Sequence, residues 1–239
     1  MLYLLISLAS AAVPSTDMDT QINNARTADP DAAQAMWDAE PRLTRAGTWR
    51  VPVVDSDHAV WLLTDRFLNG DDGSDVRAGM AGDLARQGKR HPELLMTLVE
   101  LEQDPVVLSR LVHGLTAIDD PAALDLLASN LAHDQDLVRL ETSVVVGLHP
   151  SGAQLADALI VGLHDDAPEV RAAAARSLGL HQVSASAPAL EAALFDVSGD
   201  VRLAAAVSLQ TVDPARLELH AAELSQDADP RLVRAVQLR

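Results

Sequence analysis

The sequence contains no cysteine, which excludes disulfide staples, thiolate nucleophiles and Cys-ligated zinc or iron–sulfur centres. Aromatic residues are scarce, with three Trp, two Phe and one Tyr in the whole chain. Strands favour aromatic and β-branched side chains, so this scarcity argues against a sheet-based core. Bases are few as well, 18 against 35 acids, giving a formal charge of −17. That field repels phosphate backbones and anionic lipid, so no nucleic-acid partner is expected. The apolar opening from Leu2 to Val13 falls short of the roughly 20 residues that span a bilayer, so no membrane-spanning segment is expected in the mature chain. It lacks a preceding positive charge, but Ala9-Ser10-Ala11 fits a cleavage site. Residues 1–12 are therefore expected to be a signal peptide, placing the mature protein in the periplasm or outside the cell. If the segment is not removed, the location is cytoplasmic.

What is present is apolar and helix-forming. Apolar residues make up 48% of the chain, and Ala and Leu, both good helix formers, dominate them. The acids divide into 26 Asp and 9 Glu. Helix N-termini prefer the shorter side chain, which accepts orphan amide hydrogens there, so the Asp excess is partly architectural.

Self-similarity carries the main argument. Val-Arg pairs begin at Val76, Val138, Val170, Val201 and Val233. The last four stand one period apart, about 31 residues, which is the spacing of a two-helix repeat. The gap from Val76 to Val138 is two periods, and Val107 stands midway with Leu108 in the arginine position. A seventh, degenerate unit is expected at Glu40–Ala46, where Arg45 lies one period before Arg77.

Each unit reads as two helices. In Pro168–Gly179 the stripe Val170, Ala174, Leu178 repeats every four residues; Asp165 or Asp166 is the expected cap and Gly179 the expected stop. The first helices are expected at His58–Leu68, Pro92–Glu102, Pro121–Ala132, Ala153–His164 and Ala187–Phe195. Neither helix of a pair can bury its stripe alone, so the units must stack.

The pattern Asp-x-x-Val-Arg-x-x-Ala-x-x-x-Leu-Gly at this period resembles HEAT repeats, in particular the short class first described in phycobilisome lyases. The resemblance covers about residues 57–239. It implies an all-α, right-handed α-α superhelix, a HEAT-like solenoid of six or seven two-helix repeats. Residues 13–56 are then an atypical N-terminal capping region containing the degenerate unit. The family includes scaffolds, adaptors, chaperones and a few enzymes, with partners usually on the face lined by the second helices.

The recurring arginines Arg77, Arg139, Arg171, Arg202 and Arg234 fall in the first turns of helices, where the dipole offers a cation nothing. They are expected to form a structural ladder, each held by a loop carboxylate in a bidentate bond. Trp37, Trp49 and Trp61 cluster near the N-terminus, either sealing the first repeat or forming a protein-binding surface. Asn69–Asp75 is dense in acids but lacks the alternation of a calcium loop, and reads as a turn plus helix cap. The HEAT-like di-iron hydroxylases that modify a lysine on a translation factor carry His-Glu dipeptides; none occurs here. No catalytic, metal or cofactor-binding residue is therefore singled out. The expected function is a non-enzymatic protein-binding scaffold or adaptor for a basic or mixed-charge protein, with self-association through the last repeat as a further expectation. The alternative is a lyase-like or metal-dependent enzyme or maturation factor on the same scaffold.

Overall fold

The computed structural model describes residues 15–43, 49–50 and 57–237. Residues 1–12, Arg45, Val51–Val54 and the Trp49 side chain lie outside what is described. The chain opens with α1 (Ser15–Ala28) and α2 (Pro30–Asp38). A two-residue ladder follows, in which β1 (Arg42–Leu43) runs antiparallel to β2 (Trp49–Arg50). Arg42 and Leu43 are thus extended, whereas the motif at Glu40–Ala46 implies the start of a helix there.

Helix pairs then stack in order. They are α3 (Asp57–Asn69) with α4 (Ser74–Ala85), α5 (Pro92–Leu101) with α6 (Pro105–Val112), and α7 (Pro121–Leu131) with α8 (Asp136–Leu148). Next come α9 (Ala156–Gly162) with α10 (Pro168–Leu180), and α11 (Ala187–Ala193) with α12 (Gly199–Val212). The last unit comprises the short α13 (Pro214–Glu218) and α14 (Ala221–Leu224), then α15 (Pro230–Gln237). The fold is an all-α solenoid of HEAT-like helix pairs. Among the described residues no helix is long and apolar enough to cross a membrane.

Each second helix places an apolar residue at its third helical position: Val76, Val107, Val138, Val170, Val201 and Leu232. All but the half-buried Val76 are fully buried. This corrects the register of the last unit. Leu232, one period after Val201, fills the core position, so Val233 stands in the arginine slot. Arg234 is displaced to an exposed position, with no hydrogen bond or ion pair among the described residues.

The second helices pack on one another more extensively than the first helices do, because their contact faces are made of small side chains. Ala172, Ala173, Ala174 and Ala175 on α10 are all buried. Gly179 does not end α10, as the motif suggests; the helix runs on to Leu180, and α8 likewise runs through Gly147 to Leu148. A Cβ on Gly147 would lie 3.0 Å from that of Ser177, and one on Gly179 would lie 2.7 Å from that of Ser208. The serines use the proximity, Ser177 Oγ donating to the Ser143 carbonyl and Ser208 Oγ to that of Ala175, each at 2.7 Å. The second helices thus form the more tightly packed, inner layer of the stack.

Candidate functional site

One edge of the solenoid is the arginine ladder. Arg139 Nε and Nη2 donate to the Asp165 carboxylate at 2.6 and 2.8 Å. Arg171 does the same to Asp196 at 2.8 and 2.9 Å, and Arg202 to Asp227 at 2.8 Å twice. Nη1 of each turns back to two carbonyls of its own loop: His133 and Asp134, Asp165 and Asp166, Asp196 and Val197. Each guanidinium therefore ties its own loop to the next. Arg77 reaches Glu102, with Nη2 2.6 Å from Oε2, and lies over the Phe67 ring. The anchoring carboxylates also accept the amide two residues on, from Ala167, Ser198 and Asp229. Dedicated caps with a side-chain bond fall instead to Asp29, Asp104, Asp120 and Asp213. Gly73 at the N-cap of α4 supplies no such bond, and Asp72 in the acid-rich Asn69–Asp75 segment serves Arg66 rather than a helix end.

The bonds shift the titrating groups as their charges require. The Arg139 guanidinium holds Asp165 below the usual carboxylate range. At Asp196 burial pushes upward, but the Arg171 bond and the Ser198 amide outweigh it and the net shift is downward. Asp227 is lowered by Arg202 and by the Asp229 amide.

The ladder is interrupted at Leu108, which is buried. The residue in the anchoring position, His133, is changed with it. Its Nδ1 accepts the Gln135 amide at 3.0 Å, repeating the carboxylates' service to the backbone without their charge. Leu108 and His133 are thus a matched neutral replacement for an Arg–carboxylate pair.

At the opposite ends of the second helices, histidines link repeats. Buried His149 Nε2 lies 2.9 Å from the Ile118 carbonyl while Nδ1 accepts the Ser151 amide. His181 Nε2 lies 2.8 Å from the Val146 carbonyl. Among the described residues, no group of three His, Asp or Glu side chains is placed to hold a metal ion.

Of the tryptophans, Trp37 Nε1 points to the buried Asp65 carboxylate at 3.3 Å. That group also takes Arg26 Nε and Asn69 Nδ2. The neighbouring Arg66 binds Asp72 and the Met36 and Ala39 carbonyls. Two adjacent residues of α3 therefore hold α1 and α2 against the first repeat. Trp61 packs half-buried with its ring edge-on to His91, at 5.8 Å between centroids.

The residues that face solvent on the inner layer are ones the repeat motif does not single out. α10 exposes only Glu169, Arg176 and Leu180. The corresponding positions are Val106 on α6 with His113 and Ala117 in the 3-10 turn that follows it, Leu137, Val144 and Leu148 on α8, and Asp200, Val207 and Thr211 on α12. Leu148 and Leu180 are 63% and 62% exposed at equivalent places on adjacent helices, and Val207 is 47% exposed. Arg110 on α6 is exposed beside half-buried His113, whose Nε2 lies 2.8 Å from Glu141 Oε2 on α8. The His113 bond lowers the Glu141 carboxyl, with Arg110 adding to the effect. A shallow cleft of about 450 Å³ opens between α4 and α6, lined among others by Gly82, Arg86, Arg110 and His113. A sequence signal for this face exists. Gly-Leu-His recurs at Gly147–His149 and Gly179–His181, with a leucine ten positions past the buried valine and off its stripe.

No family model matches the chain, and no curated protein matches it by sequence. Solved structures do. The Escherichia coli protein YibA is similar with a TM-score of 0.55 at 17% identity, over 92% of this chain and 81% of that one. A structure of the Pds5–Scc1 complex gives 0.49 at 12%, over 93% and 42%. Human deoxyhypusine hydroxylase in complex with glycerol gives 0.36 at 16%, over 93% and 94%. At 17% identity the likeness to YibA is one of fold alone.

Proposed function

We propose that this chain is a protein-binding scaffold or adaptor, non-enzymatic, whose partner lies on the inner face of the second helices. The observation that carries the reading is the exposure of Leu148, Leu180 and Val207 on three consecutive second helices whose other large apolar side chains are buried or half-buried. Scattered single apolar residues on a surface need no explanation, but side chains aligned on one face do. Covering each of the two leucines would contribute about 1–2 kcal/mol, given that roughly two-thirds of the side chain is open. The resemblance of the motif to HEAT repeats, whose partners usually lie on the face of the second helices, supports that placement. The partner is a protein of mixed charge. The scaffold works outside the cytoplasm if residues 1–12 are removed.

The test is affinity capture from the source organism with the full chain as bait, as wild type and as Leu148→Asp/Leu180→Asp. A reproducible partner retained by the wild type and lost by a variant of unchanged melting temperature supports the proposal. Equal retention by both overturns it, as does a stoichiometric small molecule or metal in the purified protein with no protein partner. Sequencing the bait's N-terminus tests export: a start near Ala12 supports it, and retained Met1 overturns it.

A further inference from the structure

The inner face carries arginines beside its acids Glu141, Glu169 and Asp200. The chain has 35 acids, yet Arg110 on α6 and Arg176 on α10 are exposed there and make no hydrogen bond or salt bridge among the described residues. Glu141 between them is taken by His113. An exposed arginine that makes no carboxylate bond is available for recognition, because its fork matches a carboxylate and is weakly hydrated. Arg110 also lines the α4–α6 cleft, where Gly82 leaves open space: a Cβ there would meet nothing within 4 Å. Leu148 and Leu180 stand exposed at the C-terminal ends of α8 and α10, Leu180 one turn past Arg176.

We propose that this face binds a linear segment of the partner that is both acidic and apolar. Resting on the scaffold reading above, the inference specifies its ligand. One carboxylate enters the cleft against Arg110, apolar side chains cover Leu148 and Leu180, and a second carboxylate reaches Arg176. From α6 to α10 is two interhelical steps, about 18 Å at usual packing distances. An extended segment rises about 3.3 Å per residue, so the two acids stand five or six residues apart with apolar residues between them. A polyanion does not fit, since the leucines offer phosphates nothing. A basic segment meets Arg110 and Arg176 at the centre of the face.

The experiment is selection of a random peptide library on the full chain, followed by binding of a selected peptide to variants. The expected sequences carry two acids at that spacing around Leu, Ile, Met or Phe. Arg176→Glu and Leu148→Asp/Leu180→Asp should each weaken binding at least about tenfold, while Leu219→Asp, at an exposed leucine just past α13, leaves it unchanged. Exchanging for Lys only the peptide acid that faces Arg176 should restore binding to the Arg176→Glu protein. Basic selected sequences, no selected sequence, or binding unaffected by the inner-face variants would overturn the inference. If affinity capture still returned a partner through Leu148 and Leu180, the scaffold reading would stand and only its ligand chemistry would fall.

Discussion

Replacing Arg171 by Ala removes four hydrogen bonds at once, two to the Asp196 carboxylate and two to the Asp165 and Asp166 carbonyls. The side chains of the pair are only 12% and 13% exposed, so the Asp196 charge left behind keeps little more than the Ser198 amide. Charge-assisted bonds contribute about 1.5–3 kcal/mol, and breaking a fully buried pair costs about 3–5 kcal/mol. This pair is near the surface, and solvent entering the vacated space offsets part of the loss. The expected cost is about 2–3 kcal/mol. Arg171→Lys keeps the charge but not the fork, and should lose about half as much. The interruption at Leu108 and His133 supplies a stricter test. Arg171→Leu/Asp196→His copies that neutral pair into a later repeat, and should be clearly more stable than the sum of its single variants. Urea denaturation followed by far-UV circular dichroism measures all of these proteins. An Arg171→Ala protein within about 0.5 kcal/mol of wild type, or a double variant no better than additive, would refute the reasoning.

Acid should dismantle the ladder. Asp165, Asp196 and Asp227 have lowered carboxyl values in the fold, so the stability they contribute is complete above the unfolded value near about 3.9 and is lost as pH falls through the folded values. Melting temperature should therefore drop steeply below about pH 4, and less steeply in Arg171→Ala; equal slopes would contradict the assignment. Gly179→Ala should cost about 1–3 kcal/mol by forcing α10 from α12, whereas Gly82→Ala should gain up to about 1 kcal/mol from helix propensity, both read by thermal melts. His113→Ala removes the bond to Glu141 across the α6–α8 junction, where no ladder arginine helps, so hydrogen exchange should quicken in the Ile118–Asp136 segment before it does around α10. Uniform exchange changes would count against a local role.

The solenoid was legible because its signal is redundant. A valine, an arginine and a helix-starting acid or proline recur with one period, and each repeat corroborates the next. The arginines' bonding was foreseeable from their place in the wrong turn for the dipole, but their partners were not. Asp165, Asp196 and Asp227 each lie in the loop of the following repeat, distant in sequence from the arginine they bind, and look locally like helix caps. The last unit misled because Val233-Arg234 repeats the motif with a slip of a single position. Only burial shows that Leu232 holds the core position. Gly179 reads as a stop because glycine ends many helices, and nothing local distinguishes a stop from a close approach whose partner serine belongs to the next repeat. Trp37 was visible as an unusual residue, but its bond to Asp65 required the fold.

The inner face was least legible for a reason that bears on function. Periodicity finds residues that the core demands, and a binding face is made of residues the core does not use. Leu148 and Leu180 sit off the buried stripe, and Arg110 and Arg176 sit where the repeats are free to vary. The structure fixes this face from behind: the ladder ties the loops at one edge, His149 and His181 tie the helix ends at the other, and the serine bonds lock α8, α10 and α12 together. The junction between α6 and α8 is the exception. There the ladder is neutral, and the link moves to the inner surface as the His113–Glu141 bond, beside Arg110 and the cleft. A ligand carboxylate drawn to Arg110 would arrive at a junction held from the inner side, so binding and the local geometry of the stack are coupled at that point.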